Sequence, residues 1–228
     1  MELERFDSRE AASQAAADRL VAALERRLSA QNEASLVVSG GSTPKRCFEL
    51  LSEADLDWDK VVVVLSDERW VPPDHPDSNE RFVRETLLRG RAAAATLLSA
   101  WQDGVSAAER STDAEVALRQ IPFPFAGALL GMGADGHFAS LFPDADNLAD
   151  GLDTESSTLA LPVSTAASPH QRISMTLSPL SRSDEIVLLI FGDDKRQTLD
   201  AALAPESTLP VAKLLKQKRA PVQVIWAP

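Results

Sequence analysis

Apolar residues recur along this chain at two spacings, and the switch from one to the other marks out its elements. Between Asp7 and Leu28, Ala17, Leu20, Val21, Leu24 and Leu28 fall at helical intervals. The spacing predicts an amphipathic first helix, with Asp7 and Glu10 as its N-terminal cap pair. Leu36-Val37-Val38 then reads as a short buried strand running into Ser39-Gly40-Gly41-Ser42-Thr43-Pro44. Pro44 suits the first position of the next helix, where its missing N–H costs nothing, and that helix is expected to reach about Glu53. Val61 to Leu65 is an unbroken apolar run, the pattern of a strand covered on both faces of a parallel sheet.

Helices are expected to resume near Asn79 and to span Ala107–Gln120, with Ala114, Ala117, Leu118 and Ile121 on one face. Phe125–Leu130 reads as a third strand. Later strands are expected at Thr158–Val163, Arg172–Met175, Glu185–Phe191 and Val222–Trp226, with helices at Asp194–Leu203 and Val211–Lys216. Strands alternating with helices from end to end predict an α/β fold: an open, mostly parallel, Rossmann-like sheet with helices on both faces. No repeat, low-complexity tract or linker interrupts the pattern, so residues 1–228 are expected to form a single domain.

Composition narrows the partners. The chain is 44% hydrophobic and 25% charged, ordinary globular material able to bury a core without staples. Its 34 acidic and 23 basic residues leave a formal charge of −11, which argues against nucleic acid. The same charge does not exclude a small anionic substrate, because net charge says little about one pocket. Cys47 is the only cysteine, so no intrachain disulfide is expected and a cytoplasmic setting follows. No signal peptide is expected from the N-terminal residues, and no run approaches the roughly 20 apolar residues of a bilayer span.

Ligands of open α/β sheets gather beyond the carboxyl ends of the strands, and three polar or Gly-rich segments stand at such ends. Ser39–Pro44 combines two glycines, hydroxyls and a helix N-terminus, which suits either a phosphate cradle or a plain strand–helix turn capped by Ser42 or Thr43. It lacks the G-K-[ST] of a Walker loop, and Pro44 occupies the last Gly position of a nucleophile elbow. Asp67-Glu68-Arg69 sets three charges directly after an apolar strand, where an arginine can fork onto an anion and a carboxylate can orient a base. The alternative there is a surface ion-pair cluster.

Gly131, Gly133 and Gly136 match G-x-G-x-x-G, but the next predicted strand ends in Leu161-Pro162-Val163-Ser164 without the acidic residue a dinucleotide site needs. The segment reads better as a backbone loop close to a small ligand, presenting Asp135 and His137. An imidazole, with its ordinary pKa of about 6.5, can accept a proton near neutrality. Arg172 and Lys195, taken singly, read as solvated charges. His75 and His170 sit in Pro-containing loops and carry no usable signal. The histidines lack metal-ligand spacing, so no metal site is expected.

Together the motifs resemble the 6-phosphogluconolactonase family, within the larger group that also contains glucosamine-6-phosphate isomerase. The resemblance rests on Ser39–Pro44, on Ser66-Asp67-Glu68-Arg69-Trp70-Val71-Pro72 and on Gly131 to Pro143, with weaker matches at Arg172–Thr176 and at Lys195 after Gly192. It implies hydrolysis of 6-phospho-D-glucono-1,5-lactone to 6-phosphogluconate in the oxidative pentose phosphate pathway, with no cofactor and no metal. His137 would be the general base on water, with Asp135 and Asp67 helping to place or polarise that histidine and the water. Gly40, Gly41, Ser42 and Thr43 would line the substrate pocket, and Arg69, Arg172 and Lys195 would supply positive charge for the phosphate. The partner implied is a small sugar-phosphate lactone, with neither nucleic acid nor membrane, and the chain is expected to be a monomer or small homo-oligomer.

The isomerase relative shares the Asp-Gly-His core but follows it with Asn-Glu-Pro, and its Glu acts on the histidine. Here Phe142 falls at that Glu, and the isomerase has an aromatic residue where this chain has Arg69. Both differences favour the lactonase. A sugar-phosphate isomerase and a non-catalytic sugar-phosphate sensor are the competing readings.

Overall fold

A computed structural model describes all residues, 1–228. Seven parallel strands form the main sheet: β1 (Glu2–Arg5), β2 (Ala34–Val38), β3 (Val61–Leu65), β5 (Thr96–Leu98), β6 (Gly127–Leu130), β9 (Ile186–Phe191) and β10 (Val222–Ala227). They run in the spatial order β1-β10-β9-β6-β2-β3-β5. Three more strands, β4 (Asp67–Arg69), β7 (Ala160–Val163) and β8 (Arg172–Met175), make a small antiparallel sheet in the order β4-β8-β7. The strands expected near 158–163 and 172–175 therefore leave the main sheet rather than extend it.

Side chains alternate across each strand, so one apolar run feeds two cores. Leu36, Val38, Val63, Leu65 and Leu129 face α1 (Arg9–Gln31), α2 (Lys45–Leu51) and α3 (Asn79–Thr86). Val37, Val64, Ala128 and Leu130 face the opposite core, shared with α4 (Ala107–Leu118), α7 (Asp193–Leu203), α8 (Pro210–Lys216) and β8. Two short helices, α5 (Leu148–Leu152) and α6 (Leu177–Leu180), flank the small sheet's strands in sequence.

Two local details differ from the sequence reading. The cap of α1 is Ser8, whose hydroxyl accepts the Ala11 amide, and Glu10 instead chelates Arg46. At α2 the cap position is Pro44, and neither the Ser42 nor the Thr43 hydroxyl caps the helix.

Chain order reverses beside β2: the chain runs outward through β3 and β5, then returns to place β6 on the other side of β2. A crevice opens at such a reversal, beyond the carboxyl ends of the two strands. The loops after β2 and β6 are Ser39–Pro44 and Gly131–His137. Ser66 is the pivot to the second sheet. Its amide donates to Val38 O in the main sheet, and its carbonyl accepts the Met175 amide from the other. That handover turns Asp67 and Arg69 of β4 toward the crevice.

Candidate active site

The crevice is a cleft of about 630 Å³. Gly40, Gly41, Ser42, Thr43, Asp67, Arg69, Asp135, His137, Arg172 and Lys195 all line it. Residues drawn from five stretches of sequence thus meet at one place.

His137 is held by its own loop. Gly136 turns the chain at φ +77°, a backbone conformation natural to glycine, and its amide donates to Gly133 O at 3.1 Å. The Asp135 carboxylate then takes both the His137 amide (3.2 Å) and ring Nδ1 (2.6 Å) on one oxygen. A carboxylate only accepts, so Nδ1 carries the proton and the Nε2 lone pair is left for other work. The ring packs on Phe142 with centroids 4.1 Å apart, which limits its swing. Gly133 makes room for it: a Cβ there would lie 2.1 Å from His137 Nδ1.

The two aspartates have different surroundings. Asp67 is only 8% exposed and makes no bond to His137. Its Oδ1 accepts from Ser66 Oγ at 2.8 Å, and its Oδ2 from Ser140 Oγ at 2.5 Å, with Arg172 Nη1 3.6 Å away. Ser66 Oγ also meets Ser39 Oγ at 3.0 Å, and Ser140 Oγ accepts from Arg172 Nη1 at 3.3 Å. Of the two aspartates only Asp135 bonds to the ring, while Asp67 anchors a hydroxyl network beside Arg172.

Arg69 and Arg172 are register partners across β4 and β8, an arrangement of like charges that costs stability unless something negative lies between or beside them. Arg69 Nη1 donates to Asp77 O at 2.6 Å, and Arg172 Nη2 to Ser168 Oγ at 3.1 Å. The Nε atoms of both are buried without a partner. Burial, aided by the Arg69 charge and opposed by Asp67, pulls the Arg172 guanidinium below its ordinary range. Lys195, near the start of α7, forms no ion pair. The amides of Gly40, Gly41, Ser42 and Thr43 donate to no other group of the chain. Two arginines, a lysine and unbonded amides thus meet in one cleft despite the net charge of −11, a donor set of the kind that can take an anion.

Glu68 has turned away from the cleft. It is 1% exposed, and its carboxylate accepts the amides of Arg69, Asn79 and Glu80 and the Ser78 hydroxyl at 2.7–3.1 Å. It thereby ties β4 to the N-terminus of α3, and burial pushes its carboxyl above the usual range against the pull of those donors. Sequence reasoning missed Asn79, which lines the cleft and whose side chain donates to Asp67 O at 2.8 Å. Ser39, Ser66 and Ser140 fall inside the segments and motifs the sequence singled out, but without a role of their own. The two serines that open their loop motifs, Ser39 and Ser66, were visible signals, whereas Asn79 had none. The fold also gathers His75, Asp77 and His170, which the sequence left unconnected, outside the cleft lining.

Residues 7–226 match the family of glucosamine-6-phosphate isomerases and 6-phosphogluconolactonases. A 6-phosphogluconolactonase from Caulobacter vibrioides is 44% identical over 229 residues, covering 100% of this chain and 97% of its own. One from Mesorhizobium japonicum is 40% identical over 98% of this chain and 94% of its own. The crystal structure of a 6-phosphogluconolactonase from Shewanella baltica superposes with a TM-score of 0.96 at 36% identity, covering 100% of this chain and 98% of that one. With the match spanning nearly every residue, the chain belongs to the glucosamine-6-phosphate isomerase/6-phosphogluconolactonase family.

Proposed function

We propose that this protein hydrolyses 6-phospho-D-glucono-1,5-lactone to 6-phospho-D-gluconate, by attack of water on the lactone carbonyl with His137 as general base. The observation that carries the reading is the Asp135–His137 pair at 2.6 Å in the same cleft as Arg69, Arg172 and Lys195. It sets a base with a free Nε2 in one cleft with three cationic side chains. The whole-length similarity to 6-phosphogluconolactonases supports it.

The steps balance without a metal or covalent intermediate. Nε2 takes a proton from water as its oxygen bonds to C1, and the carbonyl becomes an oxyanion facing amide or cationic donors. The tetrahedral centre collapses, the C1–ring-oxygen bond breaks, and the imidazolium returns its proton to the departing oxygen. A lactone is an activated ester, so a placed base and oxyanion donors suffice. Asp135 keeps the proton on Nδ1 and steadies the imidazolium; Asp67 keeps Arg172 and the serine network in register. Arg69, Arg172 and Lys195 bind the non-reacting phosphate, which orients the ring for attack.

Phe142 weighs against the isomerase reading: its ring packs on His137 and cannot relay a proton. The test is a pH-stat assay of purified protein on freshly generated lactone. Acid release far above the spontaneous rate is expected. Binding of the lactone without acceleration would indicate a sensor, and ammonia release from glucosamine 6-phosphate an isomerase; either would overturn the proposal.

A further inference from the structure

The loop after β4 and the loop before β8 bring His75, Asp77 and His170 together, 93 residues apart at the widest hydrogen-bonded pair. One ligand atom from each lies within 4.8 Å of the other two. His170 Nε2 is 3.0 Å from Asp77 Oδ2, and His75 Nδ1 is 3.9 Å from the same oxygen. We propose that these three side chains form a binding site for one divalent transition-metal ion of the zinc class, separate from the His137 cleft.

The geometry is close to what such an ion needs. Zinc bonds to imidazole nitrogen and carboxylate oxygen at about 2.0–2.1 Å, which sets tetrahedral ligand atoms about 3.3 Å apart. The observed 3.0 and 3.9 Å separations straddle that value, and a modest rotation of the half-exposed His75 ring closes the wider gap. His75 Nδ1 carries no proton, because it accepts the Asp77 amide at 3.1 Å, and the ion takes over that lone pair from the amide. Asp77 Oδ2 has only imidazole partners, because Arg69 bonds to the Asp77 backbone carbonyl and not to its carboxylate. On binding, the metal takes the Nε2 lone pair of His170 in the tautomer that carries its proton on Nδ1; the proton moves from Nε2 to Nδ1 through solvent, and the ring stays neutral. Two imidazoles and one carboxylate select zinc, cobalt or nickel over magnesium and calcium, which favour all-oxygen shells.

The position gives the ion a mechanical consequence. Asp77 O accepts from Arg69 Nη1, and the backbone of His170 is tied to Ser168, whose hydroxyl accepts from Arg172 Nη2. An ion bridging Asp77 and His170 thus clamps the two loops that seat Arg69 and Arg172. None of its three ligands lines the cleft.

Cobalt(II) is the probe, titrated into chelator-treated full-length protein and followed by its visible ligand-field absorption, with zinc as competitor and melting temperature as second readout. The expected result is one equivalent bound, a rise in melting temperature, displacement by zinc, and no competition from magnesium. His170→Ala, His75→Ala and Asp77→Asn should each weaken binding by at least about tenfold, while His137→Ala binds as the parent does. The side chains replaced are 27%, 37% and 55% exposed, so these variants keep the fold, and equal metal-free melting temperatures check it. Undiminished binding in all three variants, or loss in His137→Ala alone, would assign the ion to the Asp135–His137 pair and overturn the proposal. Failure of the parent to bind cobalt at millimolar concentration would overturn it as well.

Discussion

Gly133→Ala should disable the proposed base, His137, without replacing it. The new Cβ would lie 2.1 Å from His137 Nδ1, 2.2 Å from Cε1 and 2.4 Å from Asp135 Oδ1. Non-bonded heavy atoms sit comfortably at about 3.5 Å, so the ring and its carboxylate must retreat by about 1.4 Å. Phe142 lies on one side of the ring at 4.1 Å, and the retreat cannot be a simple slide within the same pocket. A misplacement of about 1 Å can cost about a hundredfold, or about 2.7 kcal/mol of transition-state stabilisation. The ring is 28% exposed in a surface loop, so melting should shift by only a few degrees. The assay is kcat/KM for lactone hydrolysis beside a melting curve. Gly131→Ala, two residues earlier, is the comparison: its Cβ meets nothing within 4 Å, and its loss should be at least about tenfold smaller. Gly133→Ala retaining more than about a tenth of parental kcat/KM would refute the claim that His137 must sit where the structure puts it.

Other perturbations separate the supports from the chemistry. Arg69→Lys and Arg172→Lys keep the charge but lose the planar fork, and each should raise KM by about tenfold or more with a smaller change in kcat, read from steady-state kinetics. Gly40→Ala would set a Cβ 1.9 Å from Asn79 Oδ1, displacing the side chain that holds Asp67 O, and should lower both kcat/KM and melting temperature. Glu68→Gln puts donors against donors at a buried site and should cost about 2–3 kcal/mol in denaturant melts. Burial raises the folded-state carboxyl of Glu68, so its ionisation weighs against folding; that penalty is absent below the unfolded carboxyl value and grows as pH rises through the folded one. The stability gap between parent and Glu68→Gln should therefore be wider at about pH 4 than at about pH 7.

What the sequence disclosed follows from which interactions are local. The run Val61–Leu65 announced a buried strand because both of its faces are covered, and the Gly-rich loops, which line the cleft, announced tight turns because backbone conformation is a local property. β4 was opaque. Asp67-Glu68-Arg69 looks like a charged loop, and it becomes a strand only because β8, a hundred residues later, pairs with it. Its period-2 alternation then divides the roles, sending Asp67 and Arg69 to the cleft and Glu68 to the α3 N-terminus. β1 is a four-residue edge strand with polar ends, too short to show a period. The His75–Asp77–His170 cluster and the Asn79 contact are likewise products of long-range pairing, with no trace in local spacing.

The most direct measurement is single-turnover hydrolysis of freshly generated 6-phospho-D-glucono-1,5-lactone by the parent and by His137→Ala, with melting curves on both. Base catalysis by a positioned imidazole predicts that the variant folds as the parent does and loses about a hundredfold or more in rate at neutral pH. A folded His137→Ala protein that hydrolyses the lactone at the parental rate would contradict the account.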